Sequence, residues 1–577
     1  MVSYLGAIVR ANHSSEKKEA RVQNKSRRQF IRRLGASATA MAGASAGLSS
    51  PLLAKATNLD GNSSGFSGSG SKNSNPVSGS ARRSAVHQYR ISRANALNGI
   101  SLPPHENNGD ENLYPSKIGN FSKGLPHNNI GEVDVTAYSA LFTAAKNGFP
   151  SDWDAVPMGG TVKLVNPQCG LAFDLEGLDA SMTSLQPAPA TASEERADEM
   201  VELYWQALCR DVPFDQYGNE PLTQGAIAEL NALKAFRGPR QDGEVTPQTL
   251  FRLGISGDTV GPYISQFLLH PVSFGPFSFT QLYNTYQPGL DYLTDFPSYL
   301  NVRNGIPTGQ KNVVSGAVYL HTGRDLAAWV HVDALIQAYF MGLLWCLGNG
   351  VPFNPGNPYL TSKNQAGFGT FGGPHVIALM SEASTRALQH VWWEKWYVHR
   401  CLRPEEFGGL VQNVKTGVSR SNLHSDVLNS TAAAMVNAQR GNWLLPQVFP
   451  EGCPQHPSYG SGHSTVAGAC VTVLKAFFDT HNTPVPDRVY SPDGVTLVPY
   501  TRADADQITV ETELNKLAMN IPMGRDYAGI HWRSDEYNSV FLGEAVAIGL
   551  LADQKARYNE LFQGFTFYKF DGTEVTI

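Results

Sequence analysis

The stretch Lys395-Trp396-Tyr397-Val398-His399-Arg400-Cys401-Leu402-Arg403-Pro404 closes a run of helical character that opens at Pro374. Pro404 disfavours the α conformation at Arg403, so a long helix is expected to end there and leave Arg403 free to turn back. Working outward, apolar residues at helical spacing predict helices over Ser461–Asp479, Ala503–Met519, Ser534–Leu561 and Leu222–Phe236. A capping-box pattern from Thr191 to Glu194 starts another, through Ala197, Met200, Val201, Tyr204 and Leu208. Asp325–Leu347 is apolar on most faces and reads as one central helix. Strand signals are few, and Phe565–Ile577 reads as a hairpin about an Asp571-Gly572 turn. The expected fold is one large, mainly α domain of helical bundles, with a small C-terminal β-hairpin. Long loops rich in Gly, Pro and aromatics, Phe274–Gly305 and Asn354–Gly373, are expected to wrap it or form an interface.

Composition narrows the function classes. With 577 residues and 42% hydrophobic content the chain can bury a substantial core, and a formal net charge of -5 argues against nucleic-acid binding. The six cysteines show no Cys-x-x-Cys clustering, which points away from zinc, haem attachment and a dense disulfide framework. Residues 1–56 read as a twin-arginine export signal: Arg27-Arg28 precede a weakly apolar stretch from Leu34 to Leu53, then Ala54-Lys55-Ala56. That stretch is too short and Ala-rich to span a membrane, and no other segment reads as a span. Residues 57–90 are expected to be a disordered Ser/Gly-rich linker, and 91–577 the globular domain. The protein is thus expected in the periplasm or outside the cell, or in the thylakoid lumen of a cyanobacterium.

Three separated segments carry the chemistry: the one ending at Arg403-Pro404, then His456-Pro-Ser-Tyr-Gly-Ser461-Gly462-His463, then Gly524-Arg525-Asp-Tyr-Ala-Gly-Ile-His531. Two arginines, a lysine, a serine, a bare glycine amide and histidines suit an oxyanion, because lysine offers a compact charge and arginine a planar fork. Ser461-Gly462-His463 opens a helix, whose first amides and dipole favour an anion, and His463 then stands where it could move a proton. Ser534 reads as the N-cap of the last long helix, and Asp535 as the group that orients His531. Taken singly, each segment reads as well as a solvated helix end, a plain cap or a structural histidine.

The order Lys-x₇-Arg-Pro, Ser-Gly-His, Arg-x₅-His resembles the shared signature of vanadium-dependent haloperoxidases and the type 2 phosphatidic acid phosphatase superfamily. The flanks Lys395-Trp-Tyr-Val-His, Arg403-Pro-Glu-Glu-Phe-Gly-Gly and Arg324-Asp-Leu-Ala-Ala-Trp-Val-His-Val-Asp333 are similar to the algal and cyanobacterial bromoperoxidase branch. The resemblance covers most of residues 265–560 and implies a fold of two four-helix-bundle-like units. It implies a vanadate cofactor bound to His531 and held by Lys395, Arg403, Ser461, Gly462, His463 and Arg525. His463 would be the acid–base group, Lys395 the group polarising peroxide, and His456 a second histidine typical of bromoperoxidases. Trp392 matches a tryptophan beside the family's site, and Asp333 a carboxylate expected to pair with a site arginine. Glu394, beside Lys395, has no role assigned by the resemblance.

The implied reaction oxidises bromide or iodide with hydrogen peroxide to hypohalous acid, which halogenates small organic acceptors. The resemblance also implies a homo-oligomer and admits calcium, for which no EF-hand-like loop offers ligands. Two rivals remain at this stage. One is an acid phosphatase in which His531 forms a phosphohistidine; the other is a secreted helical binding protein without catalysis.

Overall fold

A computed structural model describes residues 75–577; the expected export signal and the start of the linker, residues 1–74, lie outside the described residues. The chain is mainly α. Its longer helices, in chain order, are α1 (Gly79–Asn98), α2 (Val135–Asn147), α3 (Glu194–Cys209), α4 (Pro221–Ala232), α5 (Phe296–Arg303), α6 (Gly323–Val332) and α7 (Gln337–Asn349). They continue with α8 (Gly373–Trp393), α9 (Pro404–Lys415), α10 (Thr431–Arg440), α11 (Gly462–Phe477), α12 (Val510–Tyr527) and α13 (Arg533–Arg557). Among the described residues no single helix is long and apolar enough to cross a membrane, and all six cysteines are unpaired.

Helix α11 is the axis of the core: every residue except His463 is buried. It lies between α8 and α13 and also packs on α12. Its contact with α13 is backbone on backbone, since a Cβ on Gly468 would run into the Val540 carbonyl and one on Gly543 into the Thr465 carbonyl. The sequence thus uses two glycines to seat α11 against α13 rigidly, which fixes the start of α11 relative to that of α13. Gly543→Ala is expected to lower stability by about 3 kcal/mol, because two backbones rather than a flexible side chain must give way. A melting temperature unchanged from the parent would show that the helices can slide apart at little cost.

Several expectations are corrected. The linker does not run to residue 90: α1 begins at Gly79, and although none of its residues is buried it is tied to α13. Arg93 pairs with Asp553, and the Tyr89 hydroxyl donates to the Asp553 carbonyl at 3.3 Å. The single helix expected over Asp325–Leu347 is two, α6 and α7, bent by 97°. The break falls at Asp333, which is extended (φ -65°, ψ 153°) and turns its carboxylate inward rather than continuing the helix. Helix α12 starts at Val510 rather than Ala503, because Thr509 caps it by accepting from the Thr512 amide, and it runs on through Pro522 to Tyr527. Trp532, not Ser534, is the N-cap of α13.

Helix α8 does not stay α-helical to Leu402: Glu394–His399 is a π-helical turn, and Arg400 is left-handed (φ 45°). Arg403 is extended (φ -94°, ψ 158°) as the N-cap of α9, as Pro404 requires. The loops hold structure the sequence reading left out. Strands β1 (Val272–Phe274) and β2 (Phe277–Phe279) form a hairpin, and β3 (Tyr283–Tyr286) pairs with β4 (Val314–Val318). Strand β5 (Arg488–Tyr490) pairs with β6 (Leu497–Pro499), and β7 (Thr566–Tyr568) with β8 (Glu574–Thr576) in the expected C-terminal hairpin.

Candidate active site

Four chain ends meet at the core: the π turn after α8, the start of α11, the end of α12 and the start of α13. The π turn inserts an extra residue per turn, a distortion frequent at functional sites, and it carries Lys395 inward. Lys395 and Arg403 are fully buried, and His531 is 1% exposed, so these charges interact without solvent screening. Lys395 Nζ donates to the Pro457 and Ser458 carbonyls at 2.9 and 2.7 Å, which leaves its third proton for a ligand. Arg403 donates from Nε to the His456 carbonyl at 3.0 Å and from a terminal nitrogen to the Ile530 carbonyl at 2.7 Å. Its other terminal nitrogen lies 2.9 Å from His456 Nδ1. Arg525 donates to the Val330 carbonyl at 2.9 Å, while its buried Nε has no partner.

His531 Nδ1 lies 2.7 Å from Asp535 Oδ2. The same oxygen accepts from the Ser458 hydroxyl and from the Trp532 amide at 3.2 Å. The Ser458 and Trp532 donors hold this oxygen as an acceptor against the burial that raises Asp535, so Nδ1 donates to it and the Nε2 lone pair is left for a ligand. Burial holds His531 well below the ordinary histidine value, and Arg403, Lys395 and Arg525 hold it lower still. Burial and Arg403 likewise pull Lys395 well below its usual range, against the opposing pull of Asp535 and Glu536. Arg525 is brought down to about 10 by burial and then Arg403. Cations that depress one another in this way make a site that gains from an anion.

Ser461 caps α11 by accepting from the Ser464 amide at 3.4 Å, and its own amide donates to the Ser539 hydroxyl at 2.8 Å. The amides of Gly462 and His463, as first helical residues, have no acceptor within the helix and add to the positive end of its dipole. Trp392 lies against this end: its ring centroid is 5.7 Å from Lys395 Nζ and 4.9 Å from the His456 ring. His456 is held well below the ordinary histidine value by burial and then by Arg403. All the residues singled out from the sequence therefore lie in or beside one cluster. Asp333 is the correction. Its carboxylate lies 3.1 Å from His463 Nε2 and is hydrogen-bonded to no arginine, because the break after α6 aims it at the start of α11.

Glu394 turns away from the cluster. Its carboxylate lies 2.9 Å from His399 Nε2, one π turn along, and 3.4 Å from His105. Sequence reasoning missed Ser458 and the Pro457 carbonyl, although both sit inside the quoted string before Ser461. It also missed Glu536, a fully buried carboxyl beside the Ser461 hydroxyl, which burial and then Asp535 hold well above the usual range against the opposing pull of Ser461. Only its place one residue after Asp535 could have marked it.

No group of three or more His, Cys, Asp or Glu among the described residues has the placement to hold a metal ion. The cluster is instead an oxyanion cradle into which His531 Nε2 presents a free lone pair. It opens through Arg525 onto a cavity of about 370 Å³ whose wall includes Lys163, Ile306, His331, Phe449 and Glu451. The donor set, the unpartnered Arg525 Nε and the free His531 Nε2 fit vanadate, an anion that takes one imidazole ligand and several hydrogen bonds.

Residues 375–560 match the family model described as the second helical-bundle domain of VCPO. The chain is 34% identical to the vanadium-dependent bromoperoxidase of Corallina officinalis, over 86% of this chain and 98% of that protein. It is 34% identical to that of Ascophyllum nodosum, over 83% of this chain and 89% of that protein. The solved structure of a second, homohexameric vanadate-dependent bromoperoxidase from Ascophyllum nodosum superposes with a TM-score of 0.80 at 31% identity. That match covers 88% of this chain and 93% of that one.

Proposed function

The chain belongs to the vanadium-dependent bromoperoxidases, and from that premise we propose that the cluster around His531 binds vanadate and oxidises bromide or iodide with hydrogen peroxide. The enzyme uses peroxide to oxidise halide, and the observation that ties this activity to the cluster is the free Nε2 of His531, neutral and facing buried cations. When bound there, vanadate supplies a Lewis acid that stays at its highest oxidation state and polarises peroxide for two-electron transfer. His531 Nε2 would be its protein ligand, with Lys395, Arg403, Ser461, the Gly462 amide and Arg525 donating to its oxygens.

His463 is placed to take a proton from entering peroxide. Its Nε2 is held by Asp333, so Nδ1 is the nitrogen left to act. Lys395 directs its remaining proton at the oxygen the halide attacks, a donor aimed at where negative charge leaves. His456 gives Nδ1 to Arg403 and so holds the guanidinium in place while staying neutral itself. Burial of the whole cradle excludes water and strengthens each of these interactions.

The test is direct. Purified protein supplied with vanadate, peroxide and bromide or iodide is expected to brominate or iodinate a phenol-type reporter, with chloride a poor substrate. Rapid phosphate-ester hydrolysis with no halide turnover would instead make His531 a phosphoryl nucleophile. The reading includes a homo-oligomer, supported by the homohexameric relative and by the exposed phenylalanines 274, 277 and 279 of the β1–β2 hairpin. It also includes twin-arginine export to the periplasm or beyond, supported by Arg27-Arg28 and Ala54-Lys55-Ala56. Light scattering and N-terminal sequencing of the mature protein test the two.

A further inference from the structure

Halide oxidation consumes a proton. Peroxide, halide and one proton give hypohalous acid and water: two electrons pass from halide to peroxide, the O–O bond breaks as the halogen–oxygen bond forms, and the proton leaves on the departing oxygen as water. One proton must therefore enter the buried site in every turnover. The cradle around His531 is buried, so that proton has no direct contact with water there. The proton has to come from solvent, and the cavity that ends on Arg525 is the route the structure offers.

His331 lies on the wall of that cavity at the last turn of α6. Its Nε2 is 2.6 Å from Glu451 Oε1 and its Nδ1 is 2.6 Å from the Tyr286 hydroxyl. The ring stacks on Phe449 with centroids 3.8 Å apart and planes 9° from parallel. The side chain of Glu451 is 56% exposed and that of His331 21%, so the pair reaches from water to the cavity. The hydroxyl of Tyr286 can donate to a neutral ring or accept from a charged one, so His331 gains or loses a proton without losing a hydrogen bond. The chain then runs straight to the chemistry. Val330, one residue before His331, accepts from Arg525, and Asp333, two residues after it, holds His463.

Resting on the reading of the His531 cluster as the oxidising site, we propose that Glu451 and His331 form a proton-delivery pair that hands protons from bulk water into the cavity toward His463. The charged and titratable groups facing the pair include Tyr286 on β3, Tyr292, Lys123, Arg525 and Lys163. Lys123 donates to the Glu451 carbonyl at 2.7 Å, and Lys163 and Arg525 share the cavity wall with the pair. Lys123 and Arg525 do not compete as carriers, since Lys123 serves Glu405 and two carbonyls and Arg525 the cradle, whereas the His331 ring has partners in both protonation states.

The experiment uses the full enzyme loaded with vanadate. His331→Ala and His331→Gln are expected to lower kcat about 10-fold or more at neutral and alkaline pH, and less at acid pH where protons are plentiful. Added imidazole should restore His331→Ala in proportion to its protonated concentration, and Glu451→Gln should show a milder form of the same profile. Vanadium bound per chain, measured independently of turnover, should equal that of the parent. Wild-type kcat and pH profile in both His331 variants would overturn the proposal. So would a loss that imidazole never restores, or one accompanied by lost vanadium, because either makes His331 a support for Arg525 through Val330. If His531→Ala still bound vanadium and turned over, the site reading itself would fail, whatever the His331 variants do.

Discussion

His531→Ala is expected to lower halide oxidation at least about 10³-fold and to abolish the stabilisation that vanadate gives the parent enzyme. The reason is geometric. The Nε2 of His531 has no protein partner and lies among the buried cations, and Asp535 fixes which nitrogen that is. Lys395, Arg403, Arg525, Ser461 and the Gly462 amide offer protons to oxygen, whereas His531 Nε2 offers a lone pair from within the cradle. A ligand at 100 times its dissociation constant stabilises a protein by about 2.7 kcal/mol, so a melting curve with and without vanadate reads binding apart from turnover. Asp535→Asn should fall between the two, weakening vanadate binding about 10–100-fold, because the ring loses the carboxylate that orients it. A variant lacking His531 that kept the vanadate-dependent rise in melting temperature would show that the oxygens alone hold the anion, and the lone-pair argument would be wrong.

The cradle was readable from the sequence because its members cluster near helix ends that announce themselves. Pro404 marks the turn at Arg403, and Ser461-Gly462 marks the start of α11; both are local rules, and the structure obeys both. What stayed hidden depends on distant chain segments. Asp333 follows a helix that reads as continuous by hydropathy, and only packing against α12 and the start of α11 reveals why it breaks there and meets His463. The π turn at Lys395 has no local signature either, since α and π spacing cannot be told apart over six residues. The cavity wall joins distant segments, with His331 at the end of α6 meeting Phe449 and Glu451 in the loop before α11. Strands β2 and β3 lie in a segment read as a plain loop, and β1 and β4 where no element was expected, since strands of three to five residues carry too few alternations to register.

Lys395→Met is expected to cost about 10²–10³ in kcat while leaving vanadate bound more weakly but measurably. Two of the three ammonium protons are spent on the Pro457 and Ser458 carbonyls, so the lysine is held rigidly and its third proton is aimed rather than mobile. A methionine fills a similar volume and removes the charge and all three donor protons. The Pro457 carbonyl still has Arg403 at 3.2 Å, whereas the Ser458 carbonyl loses its side-chain donor, a stability cost of about 1–3 kcal/mol. The pH dependence of vanadate binding separates charge from packing. Burial first and Arg403 next lower Lys395 in the free protein, and a bound anion opposes both, so binding raises its proton affinity. Binding must then take up protons at any pH between the free and bound values, and vanadate affinity must fall as pH rises through that window. Lys395→Met removes the group responsible, so its affinity should change less steeply with pH than that of the parent over the same range. Parallel slopes in the two proteins, read by equilibrium dialysis, would mean that Lys395 stays charged with or without the anion, and the cradle would then be pre-charged rather than completed by its ligand.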